Sequence, residues 1–168
     1  MLPYHPAFDS YHCAFRILLL LESMNKPVVE VDKIRIWDFY FLFPQEVKNI
    51  TFTSSILALK REFQIDSNPY DKLLDPKRIF ERMKPYQMAA LKHLAAYGFI
   101  DPQELSKSLI KRTDKPLPKE LNPNMEALDS QQLSVIKLLQ SPFNDIKFLG
   151  LKGFKDRTKL LDARYDQT

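Results

Sequence analysis

Proline placement is the sequence feature that most constrains how this chain can fold. The 168 residues include twelve prolines and only three glycines, and most of the prolines stand where a helical pattern begins or a loop turns. Proline cannot donate the backbone hydrogen bond that a helix interior needs, so these positions mark helix boundaries. A chain of this length, with 45% hydrophobic residues, can also bury a core. The sequence therefore predicts a mainly helical domain with short connections.

Apolar residues at helical spacing predict two helices near the N-terminus, over residues 10–24 and 34–43. Asp9 directly precedes the first helix and is expected to cap it. A short extended segment at residues 28–31 leads to Asp32, the expected cap of the second helix.

The second of these helices is crowded with aromatic side chains, too many for one face of a surface helix. Two interpretations stay open, because Trp, Tyr and Phe dominate both protein cores and the centres of protein interfaces. Most of the segment is expected to belong to the core. The residues that could instead anchor a partner are Trp37, Tyr40 and Phe41.

The middle of the chain predicts two helices separated by a tight turn. Asp75, followed by proline, is a start signal for a helix running to about residue 83. Pro85 then opens a second helix over residues 86–97, which Gly98 ends in a left-handed conformation. A further helix, shorter and earlier, is predicted to begin at Ser54 or Ser55.

Residues 99–100 resemble a short strand, and residues 109–112 are either its return partner or the end of a helix that begins at Pro102. Two helices, a turn and a two-stranded wing are the order of elements in winged-helix proteins. The second helix would then enter a DNA groove. It is expected to expose mainly Gln87, Lys92 and His93, and it has no arginine, so sequence-specific reading of bases is not expected.

The C-terminal part begins after a proline-rich loop at residues 113–124, which shows no periodicity. Helices are predicted over residues 130–140, capped by Asp129, and over residues 154–165. The predicted organisation is an N-terminal winged-helix-like region at 1–112, the loop at 113–124 and a helical region at 125–168. The fold class is mainly α with minor β.

Candidate reactive groups are few. Cys13 is the only cysteine, so no internal disulfide is possible, and a cysteine inside an apolar helix is usually buried and inert. His5, His12 and Cys13 do not have the spacing of a metal site, and neighbouring residues on a helix point about 100° apart. No phosphate-binding glycine loop or other catalytic motif occurs. We expect a protein that is not an enzyme, with no catalytic, cofactor-binding or metal-ligating residues.

The charge is mildly basic, with a formal net charge of +4. Such a charge permits a nucleic acid or an acidic protein as partner without requiring either. The basic residues form two clusters, which are either contacts to DNA or a partner, or a solvated face. The clusters consist of Lys77, Arg78, Arg82, Lys84 and Lys92, and of Lys147, Lys152, Lys155, Arg157 and Lys159.

The N-terminal residues lack the pattern of a secretion signal, and the apolar run at residues 17–21 is much shorter than the roughly 20 residues that span a bilayer. A cytoplasmic location without membrane contact is expected.

Three stretches together resemble the middle component of bacterial ABC-three-component conflict systems, a group that includes the Lamassu-type anti-phage and anti-plasmid defences. The stretches are His5-Pro6-Ala7-Phe8-Asp9 with Tyr11-His12, then Arg82-Met83-Lys84-Pro85 with Gln87-Met88-Ala89-Ala90-Leu91, and Gly150-Leu151-Lys152 with Arg157-Thr158 and Arg164-Tyr165-Asp166. The resemblance extends over almost the whole chain.

The resemblance implies an adaptor subunit without an active site or cofactor. It would dock on an ATPase similar to the Rad50 and structural-maintenance-of-chromosomes proteins and hold an effector, often a nuclease, until foreign DNA is sensed. The subunit would contact double-stranded DNA as part of the complex. The alternative function is a basic winged-helix protein that binds DNA directly.

Overall fold

The computed structural model describes residues 4–54, 57–61, 73, 75–121 and 126–162, and over these residues it is mainly helical with one two-stranded sheet. The predicted fold class, mainly α with minor β and C-terminal helices, is confirmed. The elements are α1 (Ser10–Ser23), β1 (Val29–Glu30), α2 (Val31–Leu42), α3 (Leu57–Lys60), α4 (Pro76–Ala96), α5 (Pro102–Ser106), β2 (Leu109–Ile110), α6 (Ser130–Leu139) and α7 (Phe154–Thr158), with short 3-10 helices at Pro6–Phe8, Pro44–Asn49 and Pro142–Asp145.

The chain forms two compact units, each assembled from two separate segments. Unit 1 consists of Met1–Asp38 and Glu81–Leu128, and unit 2 consists of Phe39–Phe80 and Asp129–Thr168. Each unit therefore depends on contacts between residues that are distant in sequence. The division predicted at residues 113–124 separates regions that are continuous in sequence, and it stays a prediction.

Helix α1 begins at the predicted residue. The Asp9 side chain accepts a hydrogen bond from the backbone N–H of His12 at 2.9 Å. This bond to a free helix amide lowers the pKa of Asp9, which keeps the cap negatively charged at neutral pH. The side chains of α1 from Arg16 to Leu21 are buried, so the helix is part of the core of unit 1.

Helix α4 corrects the prediction of two helices and a turn. It runs without interruption from Pro76 to Ala96, with Pro85 inside it. The cost of a proline in a helix interior is outweighed because buried side chains recur at helical spacing on both sides of it, at Phe80, Met83, Ala90 and Leu94. The helix-turn-helix arrangement predicted from Pro85 is therefore wrong.

The end of α4 follows the prediction closely. Gly98 has a left-handed φ of 81°, its N–H donates to the carbonyl of Ala95 at 3.1 Å, and the N–H of Phe99 donates to Leu94 at 2.9 Å. These two bonds form a Schellman motif, which satisfies carbonyls that the helix end would otherwise leave free.

Replacing Gly98 by alanine is expected to lower the free energy of unfolding by about 1 kcal/mol, because alanine is disfavoured at positive φ. Replacing it by asparagine, which tolerates this conformation, should cost less. Urea denaturation of the two variants measures the difference, and equal losses would contradict the explanation.

The sheet combines the two alternatives left open for residues 99–112. Pro102–Ser106 is a helix capped by Asp101, and Leu109–Ile110 is a strand. That strand pairs antiparallel with β1, with Val29 opposite Ile110, while residues 99–100 contribute an isolated bridge between Ile100 and Arg112. The main partner of the return strand is thus a segment about 80 residues earlier in the chain, which no local signal indicates.

In unit 2, α6 is capped by Asp129 as predicted, and Gln132 completes a reciprocal capping box. Helix α7 is shorter than predicted. It ends at Thr158 because Lys159 takes a left-handed φ of 59°. Leu160 is nonetheless buried, and residues 163–165 of the predicted helix lie outside the described residues.

The aromatic segment forms α2. Trp37, Tyr40 and Phe41 are all buried, which agrees with the core interpretation, and none of them is presented on the surface as a partner anchor would be. Asp32 lies inside the first turn of α2 and not at its cap, because the helix already starts at Val31. In the part of the chain that the structure describes, no helix is both long and apolar enough to cross a bilayer.

Candidate partner-binding and anion-binding sites

The three residues weighed as a metal or nucleophile site have separate local roles. His5 Nδ1 accepts the N–H of Ala7 at 3.1 Å, and His12 Nδ1 is hydrogen-bonded to the hydroxyl of Tyr4 at 2.6 Å. Cys13 is fully buried beside Asp38, with 3.6 Å between the sulfur and a carboxylate oxygen. Within the described ranges, no three His, Cys, Asp or Glu side chains are grouped as metal ligands would be.

Cys13 is expected to be unreactive in the folded protein. Burial, followed by the charge of Asp38, raises the pKa of the thiol well above its ordinary value of 9.0, so it stays protonated and a poor nucleophile at pH 8. The thiol of the unfolded chain loses its proton near pH 9, whereas the buried thiol keeps it. The free energy of unfolding therefore falls as the pH rises above about 9. Ellman's reagent should label Cys13 only after denaturant is added; rapid labelling of the native protein would contradict its burial.

A buried polar network centred on Asp38 lies in the interior of unit 1. Arg16 donates to both carboxylate oxygens, from Nε at 2.6 Å and from Nη2 at 3.2 Å, and Gln87 Nε2 donates at 2.9 Å. Burial opposes the charge of Arg16, but the adjacent carboxylate outweighs this effect and raises the pKa of the guanidinium. The Arg16 guanidinium therefore keeps its positive charge inside the protein.

Gln87 corrects the prediction that it is exposed on the second helix. It is fully buried, and its amide oxygen accepts from Arg35 Nε at 2.9 Å while its amide nitrogen donates to the Arg35 carbonyl at 3.2 Å. Gln87 therefore connects α4 to two charged residues of α2, Arg35 and Asp38. Such a network satisfies every member and fixes the alignment of the helices that carry it.

Arg16 also holds the N-terminal segment in place. Its Nη1 donates to the carbonyl of Pro6 at 3.0 Å, so a buried charged side chain fixes the backbone just before α1. Asp9 fixes the other end of the same segment by capping α1. Residues 4–9 are therefore ordered by contacts from two directions.

This ordered segment displays a surface rich in aromatic rings, which we call the N-terminal aromatic surface. Tyr4 and Tyr11 are 65% and 67% exposed, and Tyr11 meets Phe15 edge to face with 4.9 Å between ring centroids. The rings of Tyr4 and His12 are 5.8 Å apart. The full surface comprises Tyr4, His5, Phe8, Tyr11, His12, Phe15, Arg82 and Tyr86.

Helix α4 supplies the last two of these residues, one helical turn apart. The Arg82 guanidinium lies 4.8 Å from the ring centroid of Phe8, and the rings of Phe8 and Tyr86 are 5.7 Å apart. Tyr86 remains 38% exposed. Arg82, predicted as a contact to DNA or a partner, thus belongs to a surface made of the residue types that dominate binding energy in protein interfaces.

The remaining predicted basic contacts fall on both units. In unit 1, Lys84 and Lys92 are exposed on α4; in unit 2, Lys77 and Arg78 are exposed in its first turn. Lys152 and Lys159 are exposed, whereas Lys155 and Arg157 are half-buried. The first predicted cluster therefore does not form one site within either unit.

Part of the second cluster lines a single pocket, which we call the loop pocket of unit 2. It has a volume of ≈ 370 Å³ and is lined by residues from two segments, about 100 residues apart. Arg157 joins the segments, donating from Nε to the carbonyl of Lys152 at 2.7 Å and from Nη1 to that of Thr51 at 3.1 Å. The lining residues are Thr51, Phe52, Thr53, Lys152, Asp156, Arg157 and Lys159.

Comparison with protein-family models gives one match, to the ABC-three component (ABC-3C) system Middle Component 5, over residues 2–166. The chain belongs to this family. Neither the curated proteins nor the solved structures contain a significant match. The family assignment confirms the resemblance to a middle component of ABC-three-component systems.

Two of the stretches that carry the family resemblance build the two surfaces of this middle component. Residues 5–12 contribute half of the residues of the N-terminal aromatic surface, and residues 150–158 form one wall of the loop pocket. Neither the aromatic surface nor the Asp38 network was predicted from the sequence. The signal for the network was present as Arg16, Arg35 and Asp38, three charged residues with apolar neighbours on both sides in largely apolar helices.

Proposed function

We propose that this protein is a non-catalytic adaptor of an ABC-three-component system, in which it links the ATPase to the effector. The observation that carries the proposal is the family match over residues 2–166. An adaptor of this kind acts through surfaces that bind other subunits, and the described residues offer such a surface in unit 1.

The finer assignment, based on the resemblance of the three sequence stretches, is a Lamassu-type anti-phage or anti-plasmid defence complex. The ATPase would be similar to Rad50 and structural-maintenance-of-chromosomes proteins, and the effector would be a nuclease. The adaptor would hold the effector on the ATPase until the complex meets foreign DNA.

We assign the N-terminal aromatic surface to the contact with one of these subunits. Exposed tyrosines provide large contact areas with only two rotatable bonds each, and arginine adds a planar group that stacks on rings and pairs with carboxylates, so both residue types are enriched among those that dominate interface energetics. Arg82, Lys84 and Lys92 are exposed on α4 in the same unit. The partner that fits has an apolar centre surrounded by acidic side chains.

The buried network supports this role through preorganisation. Arg16 is held by Asp38 and in turn holds the carbonyl of Pro6, so the segment that carries Tyr4 and Phe8 is ordered before any partner arrives. A surface that is already ordered loses less conformational entropy on binding. The polar network of the core thus contributes to affinity as well as to stability.

Co-expression with the proteins encoded by the neighbouring genes tests the proposal. The full chain, carrying an affinity tag, should co-purify with the ATPase and the effector through size-exclusion chromatography. Recovery of the chain alone, as a monomer that ignores both proteins, would refute the adaptor function.

A further inference from the structure

We propose that the loop pocket of unit 2 binds the phosphate backbone of nucleic acid, with Lys152, Arg157 and Lys159 as its cationic contacts. This site lies outside the N-terminal aromatic surface and is independent of the adaptor function. It also requires no helix-turn-helix, since phosphate contacts position a protein on nucleic acid without reading its sequence.

The charges that line the pocket are unbalanced. Three cations face a single carboxylate, that of Asp156, which accepts the backbone N–H of Lys152 at 3.0 Å. Among the described residues, neither Lys152 nor Lys159 forms an ion pair. Both carbonyl partners of Arg157 are neutral, so its charge is not cancelled either. The pocket therefore has an excess of positive charge that an anion would neutralise.

The backbone around the pocket is fixed before any ligand binds. Lys152 and Lys159 both have a left-handed φ of 59°, at the two ends of a tight segment. Between them, a side chain on Gly153 would approach the carbonyl oxygen of Leu149 to 2.6 Å, so only glycine fits the loop. Because the backbone is already fixed, the conformational entropy lost on binding is limited to that of the lysine side chains.

The excess of positive charge is confined to the loop pocket. Lys159 also lines a second pocket of unit 2, of ≈ 210 Å³, where it and Lys77 lie with the carboxylates of Glu46 and Asp75. Cations and carboxylates are equal in number there, so an anion is favoured in the loop pocket and not in its neighbour. Thr51 and Thr53 add hydroxyl groups, which together with Lys and Arg are common donors to phosphate oxygens.

The same loop carries a feature that fits a different ligand. Leu151 is 87% exposed next to Lys152 and Leu149 is 42% exposed, so the loop also offers apolar side chains that a protein partner could cover. Because Leu151 does not line the pocket, a change at this position separates the two possibilities. Binding of protein at the loop would depend on Leu151, whereas binding of phosphate would not.

The test uses the full chain and fluorescein-labelled DNA of about 20 nucleotides, single-stranded and duplex, with binding measured by fluorescence anisotropy at about 50 to 200 mM salt. The test variant is Lys152→Asn with Lys159→Asn, since asparagine tolerates positive φ. The matched control, Lys111→Gln with Lys119→Gln, removes the same number of exposed charges from unit 1, outside both predicted basic clusters. Leu151→Ser is the third variant.

The pocket variant should bind DNA about tenfold more weakly, and its plot of log affinity against log salt should be less steep by about 2. The Lys111/Lys119 control and Leu151→Ser should bind as the wild type does, and Lys152→Arg with Lys159→Arg should retain binding. Equal losses in the pocket variant and the Lys111/Lys119 control would show charge attraction without a site, which would overturn the proposal. Unchanged binding in the pocket variant, or a loss in Leu151→Ser alone, would also overturn the proposal.

Discussion

Replacing Asp38 by alanine is expected to lower the free energy of unfolding by about 3–5 kcal/mol, the largest loss of any single substitution considered for this protein. The carboxylate is buried and accepts hydrogen bonds from Arg16 and Gln87. Without it, the charge of Arg16 stays in the interior with no countercharge. A domain of ordinary stability, about 5–15 kcal/mol, would lose a large share of it. Urea denaturation followed by the fluorescence of Trp37, the only tryptophan, measures the change.

Two further variants separate the buried charge from general effects of the substitution. Asp114→Ala removes an exposed carboxylate from the same unit and should change the free energy of unfolding by less than about 0.5 kcal/mol. The double variant Arg16→Met with Asp38→Leu removes both charges and should recover most of the loss, because apolar residues can replace a buried pair. If Asp38→Ala unfolded at the same urea concentration as Asp114→Ala, the network would not stabilise unit 1.

Replacing Tyr11 and Tyr86 together by alanine is expected to weaken binding of the partner subunit by about 100-fold or more. Central tyrosines of an interface commonly contribute about 2 kcal/mol or more each. Both side chains are exposed in the free protein, so the folded structure should be retained. Surface plasmon resonance against the immobilised partner subunit measures the affinity, and the unfolding curve of the variant shows whether the fold is intact.

Tyr97 provides the matched control for this experiment. It is 68% exposed in unit 1, like the two tested tyrosines, but it lies at the end of α4 and outside the N-terminal aromatic surface. Tyr97→Ala should therefore leave the affinity within about threefold of the wild type. Similar losses in both variants, or none in the double variant, would place the partner contact elsewhere.

Local signals in the sequence correctly predicted the starts of α1 and α6 and the end of α4. Asp9, Asp129 and Gly98 act through bonds to residues within five positions of themselves, so their roles can be read from neighbouring residues alone. The same holds for the buried cysteine, because the apolar run that follows it already indicates a core helix.

Long-range packing explains what the sequence analysis got wrong. Pro85 is a local signal for a helix start, but the buried side chains on both sides of it hold α4 as one helix. Gln87 has the polarity of an exposed residue, yet its partners are about 50 residues away on α2. The loop pocket similarly depends on a bond from Arg157 to Thr51, a separation of 106 residues.

The most direct test of the adaptor function is whether this chain is required for the ATPase and the effector to associate. Tagged ATPase is purified from cells that express the effector with and without this chain, and the effector recovered is quantified. The account predicts that the effector is recovered only when the chain is present, and that the Tyr11→Ala/Tyr86→Ala variant reduces recovery. If the same amount of effector were recovered without this chain, the proposed adaptor role would be contradicted.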